Sequence, residues 1–226
     1  MNNNICAVIP AYDAGRTIES VVSGVKQYIT TVIVVNDGSR DDTSAVAQAA
    51  GAIVLEHKKN SGKGVALKTG FKYALEHAFD AVISIDADKQ HDPAEIPRFL
   101  ARYREGNVDI IIGTRMHDKD RIPRHRYIPN QVGVACISWA AGTHFSDTQS
   151  GYRLYSRKVL EAISIKAKGY HAETEILIKA GKKGFAIISI PIKPIYFPPG
   201  QAISHYRTIT DTYLICITFL KSFFWR

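Results

Sequence analysis

The stretch from Ala81 to Ile85 is an almost wholly apolar run that ends at two aspartates, Asp86 and Asp88. A run of this length and composition is typical of a strand that is buried on both faces, as the strands of a parallel sheet are. The pair Asp92-Pro93 then predicts a helix start, with the aspartate as N-cap and the proline at the first helical position. Open α/β sheets bind ligands at the carboxyl ends of their strands, which is where the two aspartates are expected.

The first half of the chain alternates strand and helix patterns at short spacing, as a parallel sheet covered by helices requires. Besides the central run, strands are predicted at 5–9, 32–35, 52–56 and 109–112, and helices at 15–28, 41–50, about 62–79 and 93–105. The second half is less regular, with helices predicted at 129–141 and 173–181 and an extended segment at 185–195 that two prolines interrupt. The predicted fold class is therefore α/β, with a mostly parallel central sheet flanked by helices.

The chain has 226 residues, of which 46% are hydrophobic, and this is enough to bury the core of a single domain. We predict that residues 1–208 form that domain and that residues 209–226 form an amphipathic helix. The apolar stripe of this helix comprises Ile209, Tyr213, Cys216 or Ile217, Leu220 and Phe224. Two interpretations remain open: the stripe packs on the domain, or it lies on a membrane surface.

Charge is distributed unevenly along the chain. Residues 1–113 carry 12 lysines and arginines against 14 acids, whereas residues 114–226 carry 17 against 7. A basic second half predicts an anionic partner, such as a diphosphate, a lipid phosphate or an anionic membrane surface. No nucleic-acid-binding motif accompanies the charge, so nucleic acid is not expected as a partner. The three cysteines fit no metal-binding spacing and are typical of buried thiols in a reducing cytosol.

Two common phosphate-binding motifs are excluded. The segment after the first strand, Pro10 to Gly15, lacks the Gly-x-Gly-x-x-Gly pattern of dinucleotide-binding folds. The segment Ser61-Gly62-Lys63-Gly64 looks like half of a P-loop, but His57 stands at the first glycine position and Gly64 at the Ser/Thr position. ATP hydrolysis is therefore not expected.

Polar residues follow three predicted strands, in Pro10-Ala11-Tyr12-Asp13, Asn36-Asp37-Gly38-Ser39 and Asp86-Ala87-Asp88. The carboxyl ends of parallel strands meet at one edge of the sheet, so these loops are expected to line one crevice. In an extended backbone residues i and i+2 point to the same side, so both carboxylates could face one hard cation. The segment 36–42 is equally typical of a turn with a helix cap, with or without Asp37 as a ligand for a nucleobase or ribose.

Taken together, the motifs resemble those of family 2 glycosyltransferases with a GT-A fold, in the branch similar to dolichyl-phosphate mannose synthase and bacterial polyprenyl-phosphate sugar transferases. Eight motifs match in order over nearly the whole chain, and their order is more specific than any one of them. They are Val8-Ile9-Pro10-Ala11-Tyr12, Val35-Asn36-Asp37-Gly38-Ser39, Asn60-Ser61-Gly62-Lys63-Gly64, Asp86-Ala87-Asp88-Lys89-Gln90-His91, Gly113-Thr114-Arg115, Asp147-Thr148-Gln149-Ser150-Gly151-Tyr152-Arg153, Glu173-Thr174-Glu175 and Ser204-His205-Tyr206-Arg207.

The resemblance implies a role for each matching position. The residues implied for the donor nucleotide sugar are Pro10, Tyr12, Asp37, Lys63 and Asp86. Those implied for Mg²⁺ or Mn²⁺ are Asp86, Asp88 and Gln90, and those implied for phosphates on the acceptor side are Arg115, Arg124 and Arg207. Asp147 is implied near the acceptor, and Asp147 or Glu173 is the candidate general base if the acceptor is a hydroxyl.

The expected function is that of an inverting, metal-dependent hexosyltransferase that uses a nucleotide-diphosphate sugar and a polyprenyl phosphate acceptor. Its expected location is the cytoplasm, peripheral at the inner face of the membrane, in cell-envelope biosynthesis. A saccharide hydroxyl acceptor is the first alternative, and a nucleotide-sugar-binding module without turnover is the second. A sugar nucleotidylyltransferase is less consistent with the sequence, because the early Gly-rich loop with basic residues is missing.

Overall fold

The structure is a computed structural model that describes residues 4–115, 124–193, 195 and 208–225, with the main chain alone at 124–130, 208 and 209. Seven strands form one sheet in the order β3-β2-β1-β4-β6-β5-β7. They are β1 (Ile5–Ala11), β2 (Thr31–Asn36), β3 (Ile53–Glu56), β4 (Ala81–Ser84), β5 (Ile110–Thr114), β6 (Arg153–Ser156) and β7 (Ile187–Pro191). The helices are α1 (Ile18–Lys26), α2 (Thr43–Ala49), α3 (Lys63–Glu76), α4 (Ile96–Arg104), α5 (Arg124–Ala141), α6 (Arg157–Ala162), α7 (His171–Lys182) and α8 (Thr208–Ser222).

The central strands β1, β2, β4 and β5 are buried on both faces, as their continuous apolar runs predict, whereas the edge strands β3 and β7 are only partly buried. Along β1 the side chains alternate between two cores: Cys6 and Val8 lie in one, and Ala7 and Ile9 lie in the other. The first core is covered by helices that include α3, α5 and α7, and the second by helices that include α1 and α4. The sheet therefore lies between two helical layers, and its strand ends emerge at an edge that neither layer covers.

Strand β6 departs from the sequence prediction. The sequence treats residues 146–153 as a polar insert, but Arg153–Ser156 form a strand that pairs antiparallel with both β4 and β5. Every other strand pair of the described sheet is parallel. Because β6 runs the opposite way, the turn that precedes it lies beside the carboxyl end of β4, and residues 147–151 are brought next to Asp86.

Helix α5 begins earlier than predicted, since Arg124 is already helical, and Pro129 lies within the helix rather than at its start. Helix α8 packs on α7 and, less extensively, on α5. Within the described part of the chain, no helix is both long and apolar enough to cross a membrane. The prediction that the cysteines are buried is correct for Cys6 and wrong for Cys216, which is exposed on α8.

Candidate active site

Three strand ends meet at one edge of the sheet, which confirms the prediction from the sequence. In the parallel register Ala11 of β1 pairs with Asn36 of β2, and Val8 of β1 pairs with Ser84 of β4. Tyr12 and Asp37 follow the ends of β1 and β2 directly, and Asp86 follows the end of β4 after one residue. All three therefore lie at the same edge of the sheet. The loops are joined to each other, since the Ser39 hydroxyl accepts a hydrogen bond from the backbone N–H of Asp13.

Lys63, the first residue of α3, lies between two carboxylates at this edge. Its Nζ is 2.5 Å from Oδ1 of Asp86 and 3.2 and 3.3 Å from the two carboxylate oxygens of Glu173. The lysine side chain is 10% exposed and the glutamate side chain 6%, so the ion pairs are shielded from water. The ring of Tyr170 adds a cation–π contact, with Nζ 5.2 Å from its centroid.

The three charges shift one another's pKa values. Burial alone would lower the pKa of Lys63, but the charges of Asp86 and Glu173 outweigh it and raise that pKa above its ordinary value. Burial would raise the pKa of Asp86, and the Lys63 ammonium instead holds it below its usual range. For Glu173 burial prevails over the nearby cations and raises the pKa. At neutral pH Asp86 is therefore anionic and paired with a permanent cation.

Asp86 and Asp88 lie in a turn rather than in the extended backbone that the sequence predicts, with Lys89 at a φ of 63°. The Asp88 carboxylate accepts a hydrogen bond of 3.0 Å from the backbone N–H of Gln90. Burial, followed by the charge of Asp86, raises the pKa of Asp88 to about 6. Because each of the two carboxylates disfavours ionisation of the other, an added cation would stabilise their ionised forms.

The donor chemistry at this turn suits Mg²⁺ or Mn²⁺, because carboxylate and amide oxygens are hard ligands. Among the described residues, however, no group of three or more His, Cys, Asp or Glu side chains could hold a metal by itself. Magnesium is commonly bound by one or two carboxylates together with the phosphates of a substrate. Asp86, Asp88 and Gln90 therefore fit a cation that is bound together with a diphosphate.

Asp147 is buried, with 2% of its surface exposed, in the turn that precedes β6. One carboxylate oxygen accepts hydrogen bonds from the backbone N–H groups of Gln149 and Ser150, at 2.9 and 3.1 Å. The other lies 3.2 Å from Nε of Arg115. Burial would raise the pKa of Asp147, but the Arg115 charge and these hydrogen bonds hold it below its ordinary value. The residue thus fixes a turn and also places Arg115 beside the site.

Asp37 is also engaged within the protein. Its carboxylate accepts hydrogen bonds from the backbone N–H groups of Ser61 (3.0 Å) and Gly62 (2.7 Å) and contacts Nδ1 of His57 at 2.6 Å. Gly62 has a φ of 99°, and a Cβ there would lie 2.4 Å from the Lys168 carbonyl oxygen, so only glycine fits. Asp37 therefore holds the start of α3, and with it Lys63, at the edge of the sheet.

Two structural determinants of the site are given no role by the sequence prediction. The Arg153 side chain is fully buried and donates to the carbonyls of Thr148, Ser150 and Glu173, at 2.7 to 2.9 Å. An arginine within an otherwise buried strand is a signal that could have identified it. Gly151 contacts the ion pair so closely that a Cβ would lie 2.5 Å from Oδ2 of Asp86.

The remaining predicted residues fall into two groups. Pro10 and Tyr12 are half-buried at the end of β1, on the same edge as Asp86. Arg124 begins α5, but its side chain lies outside the described residues, as does the whole of Arg207. His91, buried against Tyr152, has its Nδ1 3.8 Å from Asp86, and neither ring nitrogen has a hydrogen-bond partner among the described residues. Burial lowers the pKa of His91 to about 4.

Comparisons with known proteins agree with this geometry. A UDP-N-acetylglucosamine–dolichyl-phosphate N-acetylglucosaminyltransferase of Methanococcus voltae is 29% identical and covers 85% of this chain and 86% of its own. An undecaprenyl-phosphate mannosyltransferase of Micrococcus luteus is 28% identical and covers 83% and 82% of the two chains.

A crystal structure of glucosyl-3-phosphoglycerate synthase from Mycobacterium tuberculosis, in complex with Mn²⁺, UDP-glucose and phosphoglyceric acid, superposes with a TM-score of 0.73. It covers 98% of this chain and 80% of its own at 22% identity, which confirms the predicted GT-A fold class. The profile of the family described as "Glycosyl transferase family 2" matches residues 6–164. The chain is therefore a glycosyltransferase that belongs to glycosyl transferase family 2.

Proposed function

We propose that this glycosyltransferase transfers a hexose from a nucleotide-diphosphate sugar to a polyprenyl phosphate, in a metal-dependent reaction that inverts the anomeric centre. The observation that carries the proposal is the pair of relatives named for transfer to dolichyl phosphate and to undecaprenyl phosphate. Both matches extend over more than four-fifths of both chains.

On the donor side, the proposed residues are Pro10, Tyr12, Asp37, Lys63 and Asp86. Lys63 is a permanent cation at the strand edge, where a diphosphate would bind. The Asp37 carboxylate is already engaged by the Ser61–Gly62 backbone, so we infer that it serves the donor by holding the loop that carries Lys63.

The proposed metal ligands are Asp86, Asp88 and Gln90. When bound, Mg²⁺ or Mn²⁺ would neutralise the negative charge that develops on the leaving diphosphate. The raised pKa of Asp88 supports this assignment, because a cation at the turn would relieve the repulsion between the two carboxylates.

On the acceptor side, a lipid phosphate is already anionic and needs no general base. It does need cations, since two like charges about 4 Å apart at an effective dielectric of about 20 repel by roughly 4 kcal/mol. Arg115, oriented by Asp147 at the site, is one such cation, and we propose that Arg124 and Arg207 add to it. If a saccharide hydroxyl were the acceptor instead, Asp147 or Glu173 would have to act as the base.

The test is release of nucleoside diphosphate from a panel of nucleotide sugars, with and without polyprenyl phosphate in detergent micelles, and with the product's anomeric configuration read by NMR. We expect turnover only with the lipid phosphate and none in excess EDTA. Asp88→Asn should abolish turnover, whereas Asp92→Asn in the same loop should not, because an asparagine can still accept the Ala94 N–H bond at that helix cap. Transfer to saccharide hydroxyls alone would contradict the acceptor proposal, and full activity in EDTA would contradict the metal proposal.

The arginine assignment is tested separately. Arg124→Ala and Arg207→Ala should raise the KM for polyprenyl phosphate and leave nucleotide binding nearly unchanged. The difference in KM from the parent should narrow with added salt, because salt screens the contact that the variants have lost. Arg104→Ala, at an exposed arginine in the last turn of α4, is the matched control and should behave like the parent. If the arginine variants glycosylate polyprenyl phosphate as well as the parent does, the lipid phosphate is not held by these residues.

A further inference from the structure

Helix α8 turns three polar residues toward the protein and three large apolar residues toward solvent. Asp211, Thr218 and Ser222, spaced along one face of the helix, are 8%, 6% and 0% exposed. On the opposite face Tyr213, Leu220 and Phe224 are 63%, 54% and 87% exposed. These three residues of the apolar stripe recognised in the sequence therefore do not pack on the domain.

This orientation is held by specific contacts with α7. Nζ of Lys182 donates to the carbonyls of Ser222 and Trp225 at 2.5 and 3.2 Å, which caps the carboxyl end of α8. Nζ of Lys179 lies 5.0 Å from the centre of the Trp225 ring. Rotation of α8 to bury its apolar stripe would break these contacts and expose Ile215 and Phe219, which pack against the core.

The exposed apolar surface continues from α8 onto α5. The ring of Trp139, which is 70% exposed, lies 5.2 Å from the Phe223 ring and 6.2 Å from the Phe219 ring. We call the set Trp139, Leu220, Phe223 and Phe224, all of them exposed, the aromatic patch. Contiguous apolar surfaces of this kind on a soluble domain mark a site of contact with a protein or a membrane.

The charge around the aromatic patch favours one of these occupants. Residues 176–183 of α7 and its end, together with α8, contain four lysines (Lys179, Lys182, Lys183 and Lys221) and a single acid, Asp211, which is buried at the start of α8. Exposed Lys221 and Lys183 lie on α8 and at the end of α7, the two helices that pack together here. Aromatic rings flanked by lysines suit the interface of an anionic bilayer, whereas a second copy of the chain would bring two basic surfaces together.

We propose that the aromatic patch inserts into the headgroup region of an anionic lipid bilayer and holds the enzyme at the membrane surface. The inference rests on the proposed function, since a polyprenyl phosphate acceptor is embedded in the bilayer. The phenyl and indole rings would enter the interface, and the lysines would meet the lipid phosphates.

The test is co-sedimentation of the full chain with vesicles of phosphatidylcholine alone or mixed with phosphatidylglycerol. We expect binding to the anionic vesicles, and at least a roughly tenfold weaker partition when Phe223→Ser and Phe224→Ser are combined. Lys221→Glu should weaken binding to anionic vesicles and lower the salt sensitivity of the binding that remains, because one electrostatic contact is lost. Ile53→Ser, at an apolar residue 39% exposed on edge strand β3, is the control and should bind as the parent does.

Three results would overturn the proposal: recovery of the parent in the supernatant with both vesicle types, equal binding by the double phenylalanine variant, or a parent dimer that the double variant converts to a monomer. The last would assign the aromatic patch to self-association.

Activity measurements distinguish a failure of this inference from a failure of the proposed function. The double variant should glycosylate polyprenyl phosphate in detergent micelles normally and lose activity only on acceptor embedded in vesicles. Vesicle binding without any transfer to lipid phosphate would refute the proposed function, but the aromatic patch would still be a membrane-binding surface.

Discussion

Replacing Lys63 by methionine would remove the ammonium group that lies between Asp86 and Glu173 and keep most of the side-chain volume. Glu173, with only 6% of its side chain exposed, would then lose its ion-pair partner. Breaking a buried ion pair by removing one partner costs about 3–5 kcal/mol, because the remaining charge stays desolvated. For a chain of this size, such a loss corresponds to a fall in Tm of about 6–20 °C.

The assay is urea unfolding followed by circular dichroism, for the parent and for Lys63→Met, over a range of pH. The deficit in unfolding free energy should shrink as the pH is lowered, because protonation of the two carboxylates removes the unpaired charge. Combining Lys63→Met with Glu173→Gln should recover about 0.5–3 kcal/mol of coupling energy. The control is Lys72→Met, whose Nζ is 3.6 Å from Glu76 in an exposed pair and should contribute less than about 1 kcal/mol. A Lys63→Met deficit no larger than that of Lys72→Met at every pH would refute the reasoning.

Three further predictions concern the residues around Asp86. Asp147→Asn should keep the turn, because an amide oxygen can still accept the Gln149 and Ser150 N–H bonds. It removes the charge that pairs with Arg115 and should therefore raise the KM for polyprenyl phosphate. A fall in kcat of about 10²–10⁴-fold would instead assign Asp147 as the general base for a hydroxyl acceptor, and normal kinetics with a normal circular dichroism spectrum would leave it only the role of fixing the turn. In the metal-free protein the folded-state pKa of Asp88 is about 6, above its ordinary value of 3.8. Between these pH values the folded form therefore binds more protons than the unfolded form. The unfolding free energy should fall as the pH rises through this range. Urea titrations in EDTA should show that Asp88→Asn flattens this slope, and an unchanged slope would contradict the assigned shift. Gly151→Ala places a Cβ 2.5 Å from Asp86 and 2.8 Å from Lys63 and should weaken donor binding at least about tenfold in calorimetry. In the control, Gly133→Ala on α5, the added Cβ meets nothing within 4 Å, and this variant should bind the donor normally. Equal affinities of the two variants would show that Asp86 and Lys63 can move aside.

The sequence by itself determined the features that depend on local pattern. The strand at Ala81–Ser84 and its continuation into Asp86 follow from an apolar run that stops at charged residues. The 3₁₀ turn at Pro93–Glu95, which leads into α4, follows from its Asp92 cap. The parallel pairing of β1, β2 and β4 follows from strands and helices that alternate at short spacing, and this places Tyr12, Asp37 and Asp86 on one edge. The order of the motifs was enough to indicate the family.

The tertiary structure decided what depends on contacts between distant segments. Lys63 and Glu173 are 110 residues apart, so no local pattern predicts that one neutralises the other. The antiparallel pairing of β6 is a property of the sheet as a whole, and it is this pairing that brings Gly151 against Asp86. Helix α8 has a recognisable apolar stripe in the sequence, but which face turns inward depends on the packing surface that α7 offers, with Lys182 at its end. Periodicity reveals that a helix has two unlike faces, whereas only the contacts with its neighbours determine which of them meets the protein.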